Sequence, residues 1–219
     1  MMLAGGGGSD DLSSESFAAT ARIRFGPVNQ AISGDYSINP DLYEQLDRVA
    51  KTPAAVLVPV VRGSAGRVLL TIRTDNLPSH PGQIAFPGGK IDPGDADAPA
   101  AALREAAEEI GLAAGDVDII GRIPDYLTGS GYRISPVVAL VPADYPYVIN
   151  RNEVREVFDV PLGLVMDLNN YQVGQTTWNG AMRRFYEISH GDRRIWGITA
   201  GILRMLAEQV YGTQKRAGA

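Results

Sequence analysis

Glu105, Glu108 and Glu109 stand at helical spacing, preceded by Arg104 and followed by Ile110, Gly111 and Leu112. At 100° per residue the three carboxylates fall within a sector of about 100°, while Leu103, Ala106, Ala107 and Ile110 cover the opposite face. Carboxylates that converge in this way can bind a hard cation. In a chain with no Cys and only two His, such oxygen donors suit Mg²⁺ or Mn²⁺, which take few protein ligands and keep places for water and phosphate. An ordinary solvated helix face gives the same wheel. Two features weigh toward a cation: like charges at i,i+3 and i,i+4 repel by roughly a few tenths of a kcal/mol each, and no Lys or Arg follows any of the three at i+4.

The element carrying these residues is a helix expected from about Ala98 to Ile110, with Asp97 as its N-cap, Pro99 in the first turn and Gly111 as its stop. A Pro/Gly-dense stretch, Pro78 to Gly94, leads into it. Strands are expected at Ala54 to Val61 and Arg67 to Ile72, joined as a hairpin through Gly63, Ser64 and Gly66. Further strands are expected near Val117 to Ile123, Ile134 to Val141, Val154 to Val160 and Met182 to Ile188. A short helix is expected at Pro40 to Lys51 and a closing helix at Gly197 to Tyr211. The closing helix carries Ile198, Ile202, Leu203, Leu206 and Val210, which together with Trp196 read as core packing. Strands interleaved with a few helices imply a mixed sheet with helices packed on it.

The N-terminal run MMLAGGGGSDDLSSES has neither the basic start nor the apolar stretch of an export signal, so residues 1–35 are expected to be a disordered or extended tail. Residues 36–212 are then one domain and 213–219 a flexible C-terminus. With 25 acidic against 20 basic residues, the net charge of −5 disfavours nonspecific nucleic-acid binding and requires a local cation for any anionic substrate. The absence of Cys excludes disulfides, thiol nucleophiles and Cys-ligated zinc. The longest apolar stretch, Pro53 to Val61, is about half of the roughly 20 residues that cross a bilayer, so no membrane partner is expected and the reading is cytoplasmic. Tyr145, Tyr147 and Tyr171 are too scattered to form a base-stacking platform.

The run Arg104-Glu105-Ala106-Ala107-Glu108-Glu109-Ile110-Gly111-Leu112 resembles the second half of the signature of the Nudix hydrolases. The first half departs from it: Gly89 is followed six residues on by Asp95 where Glu is usual, and eight residues rather than seven separate Asp95 from Arg104. That departure is similar to the coenzyme A pyrophosphatase branch, as are Leu69-Leu70-Thr71-Ile72-Arg73-Thr74, Leu77, His80 and Gly82-Gln83-Ile84-Ala85-Phe86-Pro87-Gly88-Gly89. Asn152-Glu153-Val154 with Val157 to Leu162, and Ile195 to Ala200, also look like that branch, so the resemblance spans roughly residues 38 to 212.

The resemblance implies an α+β fold of Nudix type, an α/β/α sandwich with a mixed β-sheet. It also implies metal-dependent hydrolysis of the diphosphate bond of coenzyme A or its derivatives to 4′-phosphopantetheine and adenosine 3′,5′-bisphosphate. Glu105 and Glu109 are the expected direct ligands of Mg²⁺ or Mn²⁺, Glu108 is a third or water-mediated ligand, and the carbonyl of Gly89 is added by family analogy. Arg104 is expected to hold a carboxylate by a forked hydrogen bond, with Asp92 and Asp95 either ordering the loop or replacing the family's first acid. Glu153 is the first choice for the general base, with Glu108 and Glu109 behind it. Arg73, Lys90 and Arg133 are the expected cationic contacts to substrate; His80 shapes the loop and His190 has no role. Rival readings are a Nudix pyrophosphatase acting on ADP-ribose or another nucleoside diphosphate derivative, and a noncatalytic nucleotide-binding regulatory domain. A homodimer is common among similar proteins, though no interface is legible.

Overall fold

Strand β2, Thr52–Val61, is apolar on both faces because it lies inside the sheet: Ala54, Val58 and Val60 point into one core cluster, and Ala55, Leu57 and Val61 into another. In the computed structural model, which describes residues 12–25, 33–40, 52–77, 80–178 and 180–212, every other strand of the main sheet is arranged around it. Preceded by the short β1, Ser33–Gly34, the strands in chain order are β3, Arg67–Arg73; β4, Ile84–Ala85; β5, Gly88–Lys90; β6, Asp118–Arg122; β7, Tyr126–Leu127; β8, Tyr132–Val141; and β9, Val154–Pro161.

On one edge β2 runs parallel to β8 through its whole length, from Thr52 opposite Tyr132 to Val61 opposite Val141. Two strands share its other edge. β3 pairs with the end of β2 through Val60 and Val61, completing the expected hairpin, and farther along that edge with β4, while its other edge pairs with β9 from Arg67 to Arg73. At the start of β2 its place is taken by β5, with Ala54 opposite Lys90, Ala55 opposite Gly89 and Val56 opposite Gly88. The sheet is therefore split between β5 and β3, and both sides of that split are lined by backbone from the Leu69 to Gly89 motif.

The helices are α1, Ser14–Arg24; α2, Ala98–Ile110; α3, Leu162–Met166; and α4, Ile198–Tyr211. α2 covers one face of the sheet with Ala98, Ala101, Ala102, Ala106 and Ile110. On the other face α1, α3 and α4 pack together with a separate antiparallel sheet, β10, Gln172–Trp178; β11, Ala181–His190; and β12, Arg193–Trp196. This is the mixed sheet between helical layers that the sequence implied. α2 has the expected ends: the Asp97 side chain accepts from Ala100 N–H at 2.8 Å, and Gly111 takes the left-handed conformation at φ 70°.

Three expectations are corrected. Residues 14–24 are not tail but helix α1, with Phe17, Ala18 and Ala21 buried against the main core. The helix start is also stitched to the β2–β3 turn, since Gly63 N–H donates to Ser14 Oγ at 3.0 Å and Gly66 N–H to the Leu12 carbonyl at 2.8 Å. Ser33 and Gly34, also expected as tail, are likewise docked, pairing with Tyr126 and Leu127; beyond them, within the expected domain, the buried Asn39 exchanges two hydrogen bonds with the Arg184 backbone. Trp196 is not core; it ends β12 with 38% of its surface exposed, its ring tilted on Phe185. The helix expected over Pro40 to Lys51 lies outside the described residues apart from Pro40 itself, as does the C-terminus 213–219. No described helix is long and apolar enough to cross a membrane.

Candidate active site

Arg104 organises the acidic end of the site. Its Nε and Nη2 form a fork on Asp95, at 3.0 and 2.9 Å, while Nη1 donates to Glu105 Oε1 and to Glu108 Oε2, both at 3.1 Å. Nη2 also reaches the Lys90 carbonyl at 3.1 Å. One guanidinium thus ties the loop, through a fork on Asp95, to two carboxylates of the helix, Glu105 and Glu108. Asp95 in turn accepts from Asp92 N–H at 2.8 Å, so it closes the loop, and the Arg104 guanidinium holds its carboxyl below the usual range. The absence of a cation at i+4 had suggested unrelieved repulsion along the ridge; Arg104, four residues before Glu108, supplies that relief from the other direction.

Glu105 lies against Gly89. A Cβ at Gly89 would stand 2.6 Å from Glu105 Cδ, so any larger residue there would push the carboxylate out of the place it occupies against β5. Burial pushes the Glu105 carboxyl up, opposed by Arg104 and reinforced by Glu108 and Glu153. Glu109 is more deeply enclosed, with 3% of its surface exposed. Burial first, then the charges of Glu105 and Glu153, push its carboxyl up to about 8, against the opposing influence of Arg73 and the Gly88 backbone. Glu108, by contrast, leaves its side chain 55% exposed.

Glu153 reaches this centre along a path no local pattern reveals. The segment after β8 runs back over the C-terminal end of α2, where Val148 N–H donates to the Ile110 carbonyl at 3.0 Å and Asn150 N–H to the Glu109 carbonyl at 2.9 Å. These bonds satisfy carbonyls the helix end leaves free. Thr74 N–H then donates to the Glu153 carbonyl at 2.9 Å, fastening the segment to the end of β3. Glu153, Glu105, Glu109 and Arg73 therefore act electrostatically on one another across the split in the sheet. Lys90 is exposed beside them, whereas Arg133 sits across β2, opposite Pro53, with Asp125 3.7 Å from its Nε. His80 is exposed, with a left-handed backbone, and His190 ends β11 on the separate sheet.

Among the described residues no three acidic or imidazole side chains are gathered closely enough to enclose an ion unaided. The donor set fits a different kind of site: Glu105 and Glu109 one turn apart, the Gly89 backbone beside them, and a buried carboxylate whose proton a cation would replace. Mg²⁺ and Mn²⁺ suit hard oxygen donors that are few in number, completing their shells with water and phosphate.

Residues 51–161 match the family model of the NUDIX domain. The chain belongs to the Nudix hydrolase family. A Nudix hydrolase NudL of Yersinia pestis (strain Pestoides F) is 41% identical over 157 residues, covering 72% of this chain and 79% of the relative. The NudL of Yersinia pseudotuberculosis serotype O:1b (strain IP 31758) matches to the same extent. A C. elegans Ap4A hydrolase structure is 21% identical with a TM-score of 0.44, covering 51% of this chain and 81% of that one. Nudix hydrolases use divalent metal ions and act on pyrophosphate bonds. The stretch matched by the Nudix model contains β2 to β9, α2 and Glu105, Glu108, Glu109 and Glu153, while α1, α4 and the three-stranded sheet lie outside it.

Burial of the Glu109 carboxyl makes the stability of the metal-free protein depend on pH. With a folded value raised from 4.5 to about 8, its protonated form stabilises the metal-free protein fully below about pH 4.5, and that contribution is lost as pH rises through 8. The limiting slope is roughly 1.4 kcal/mol per pH unit. Mn²⁺ should accordingly raise the melting temperature more at pH 8 than at pH 6, where it must first displace the proton. Scanning fluorimetry at both pH values checks this; equal shifts would mean that Glu109 does not take the ion.

Proposed function

We propose that this Nudix hydrolase cleaves the diphosphate of coenzyme A or a close derivative, giving 4′-phosphopantetheine and adenosine 3′,5′-bisphosphate. The observation that carries the reading is the contact between Gly89 and Glu105, which joins the end of the Leu69 to Gly89 motif to the acidic helix in a single site. The chemistry itself follows from the acids; coenzyme A as the compound cleaved is supported by the resemblance of that motif.

Glu105, Glu109 and the Gly89 carbonyl would hold Mg²⁺ or Mn²⁺, with Glu108 at the exposed margin completing its hydration. When bound, the ion supplies positive charge to the diphosphate oxygens and acidity to water. Arg104 keeps Glu105 aimed at that position through Asp95 and the loop. Arg73, beside Glu109, and the exposed Lys90 meet the remaining phosphate charge; Arg133, farther off, would meet a distal part of the substrate. Glu153 accepts the proton of the attacking water as the water oxygen bonds to one phosphorus. The bridging P–O bond breaks, and its oxygen leaves with the other phosphate.

The test is to incubate the purified chain with Mg²⁺ or Mn²⁺ and coenzyme A, acyl-coenzyme A, ADP-ribose, NADH and nucleoside triphosphates, and to identify products by mass. Coenzyme A compounds should be cleaved fastest, releasing adenosine 3′,5′-bisphosphate. Turnover of ADP-ribose without coenzyme A would replace the substrate, and turnover of none would favour a binding domain.

A further inference from the structure

We infer that Asn150 is a positioning residue for hydrolysis, holding the Glu153 carboxylate at the reacting centre while its own backbone is pinned to the end of the metal-binding helix. The inference rests on Glu153 being the proton acceptor. Asn150 bonds both to the end of the acidic helix and within its own short turn. Its N–H donates to the Glu109 carbonyl at 2.9 Å, and its carbonyl accepts from Glu153 N–H at 3.1 Å and Val154 N–H at 2.9 Å. Its side-chain Oδ1 accepts from Asn152 N–H at 3.1 Å, the local bond of an Asx turn. The remaining group, Nδ2, donates to Glu153 Oε1 at 3.2 Å.

That last bond has a physical purpose. Glu153 carries its charge toward Glu105, and their mutual repulsion favours side-chain rotamers that swing it away. A neutral amide donor opposes that swing without neutralising the carboxylate, which a Lys or Arg in the same place would do. Because the same residue bonds the Glu109 carbonyl, the acceptor is indexed to the helix that carries Glu105 and Glu109. Placement of this kind matters because proton acceptors work only within hydrogen-bond reach of the proton they take.

Asn150→Asp tests it surgically: the Oδ1 acceptor and the turn survive, while the donor becomes an oxygen that repels Glu153. With Mn²⁺ and whichever compound of the panel above the wild type cleaves fastest, kcat should fall on the order of tenfold to a hundredfold, with KM and Mn²⁺ affinity changed less than about threefold. Asn150→Ala, which removes the donor without adding charge, should lower kcat similarly. In a Glu153→Gln background, itself slow, either change should alter kcat less than about twofold, because the group through which Asn150 acts is already gone. Loss of the same factor in both backgrounds, or wild-type kcat in both Asn150 variants, overturns the positioning role while leaving Glu153 as the acceptor. Wild-type kcat in Glu153→Gln overturns both.

Discussion

Glu109→Gln should lower turnover by about 10² to 10⁴ while leaving the metal-free protein folded and its melting temperature within about 2 °C of wild type. The substitution keeps shape and helix propensity and differs from the wild type only in charge. Because burial pushes the Glu109 carboxyl up to about 8, near neutral pH the metal-free protein holds it mostly as the uncharged acid, which an amide imitates well. What Gln lacks is the ability to exchange a proton for a cation. The variant should therefore also lose most of the Mn²⁺-induced rise in melting temperature. Steady-state rates together with scanning fluorimetry distinguish the cases: activity within a few-fold of wild type removes Glu109 from the ligand set, and a collapsed melting temperature means that it supports the fold.

Phe17→Ala should destabilise the protein by about 3 to 5 kcal/mol, the usual cost of emptying a fully enclosed aromatic site, and lower the melting temperature by roughly 10 °C. Phe17 is wholly buried in a helix that packs against α4 and β6. It lies on the face of the sheet opposite the acidic helix, so residual activity below the new transition should stay within about twofold of wild type. A melting temperature unchanged to within about 2 °C would mean that α1 does not dock in solution, returning these residues to the tail that composition suggested.

The parts of this molecule legible in its sequence are those whose causes are local. Asp97, Pro99 and Gly111 are each sufficient reason for α2 to begin or end where it does, and the apolar runs of β2 and β8 announce interior strands. α1 escaped notice because its buried side of Phe17, Ala18 and Ala21 holds a single large apolar side chain amid polar neighbours, and only the surface it lands on explains its burial. β10 has a similar cause: Gln172-Val173-Gly174-Gln175-Thr176-Thr177 carries one large apolar residue, and it is the pairing with β11 that makes it a strand. Within the site, helical spacing was enough to group Glu105 with Glu109. The approach of Glu153, by contrast, depends on how a segment some forty residues later crosses the helix end, and the Asp95 fork on how a loop closes.

The stitching of Leu12 and Ser14 to the turn at Gly63 and Gly66 has a practical corollary. That turn terminates β2, whereas Gly89 is paired with Ala55 near the strand's beginning, so about seven residues of extended chain, roughly 23 Å, lie between them. A fluorophore or affinity handle attached at Leu12 itself would therefore join the protein at the end of β2 remote from Gly89 and the carboxylate packed on it.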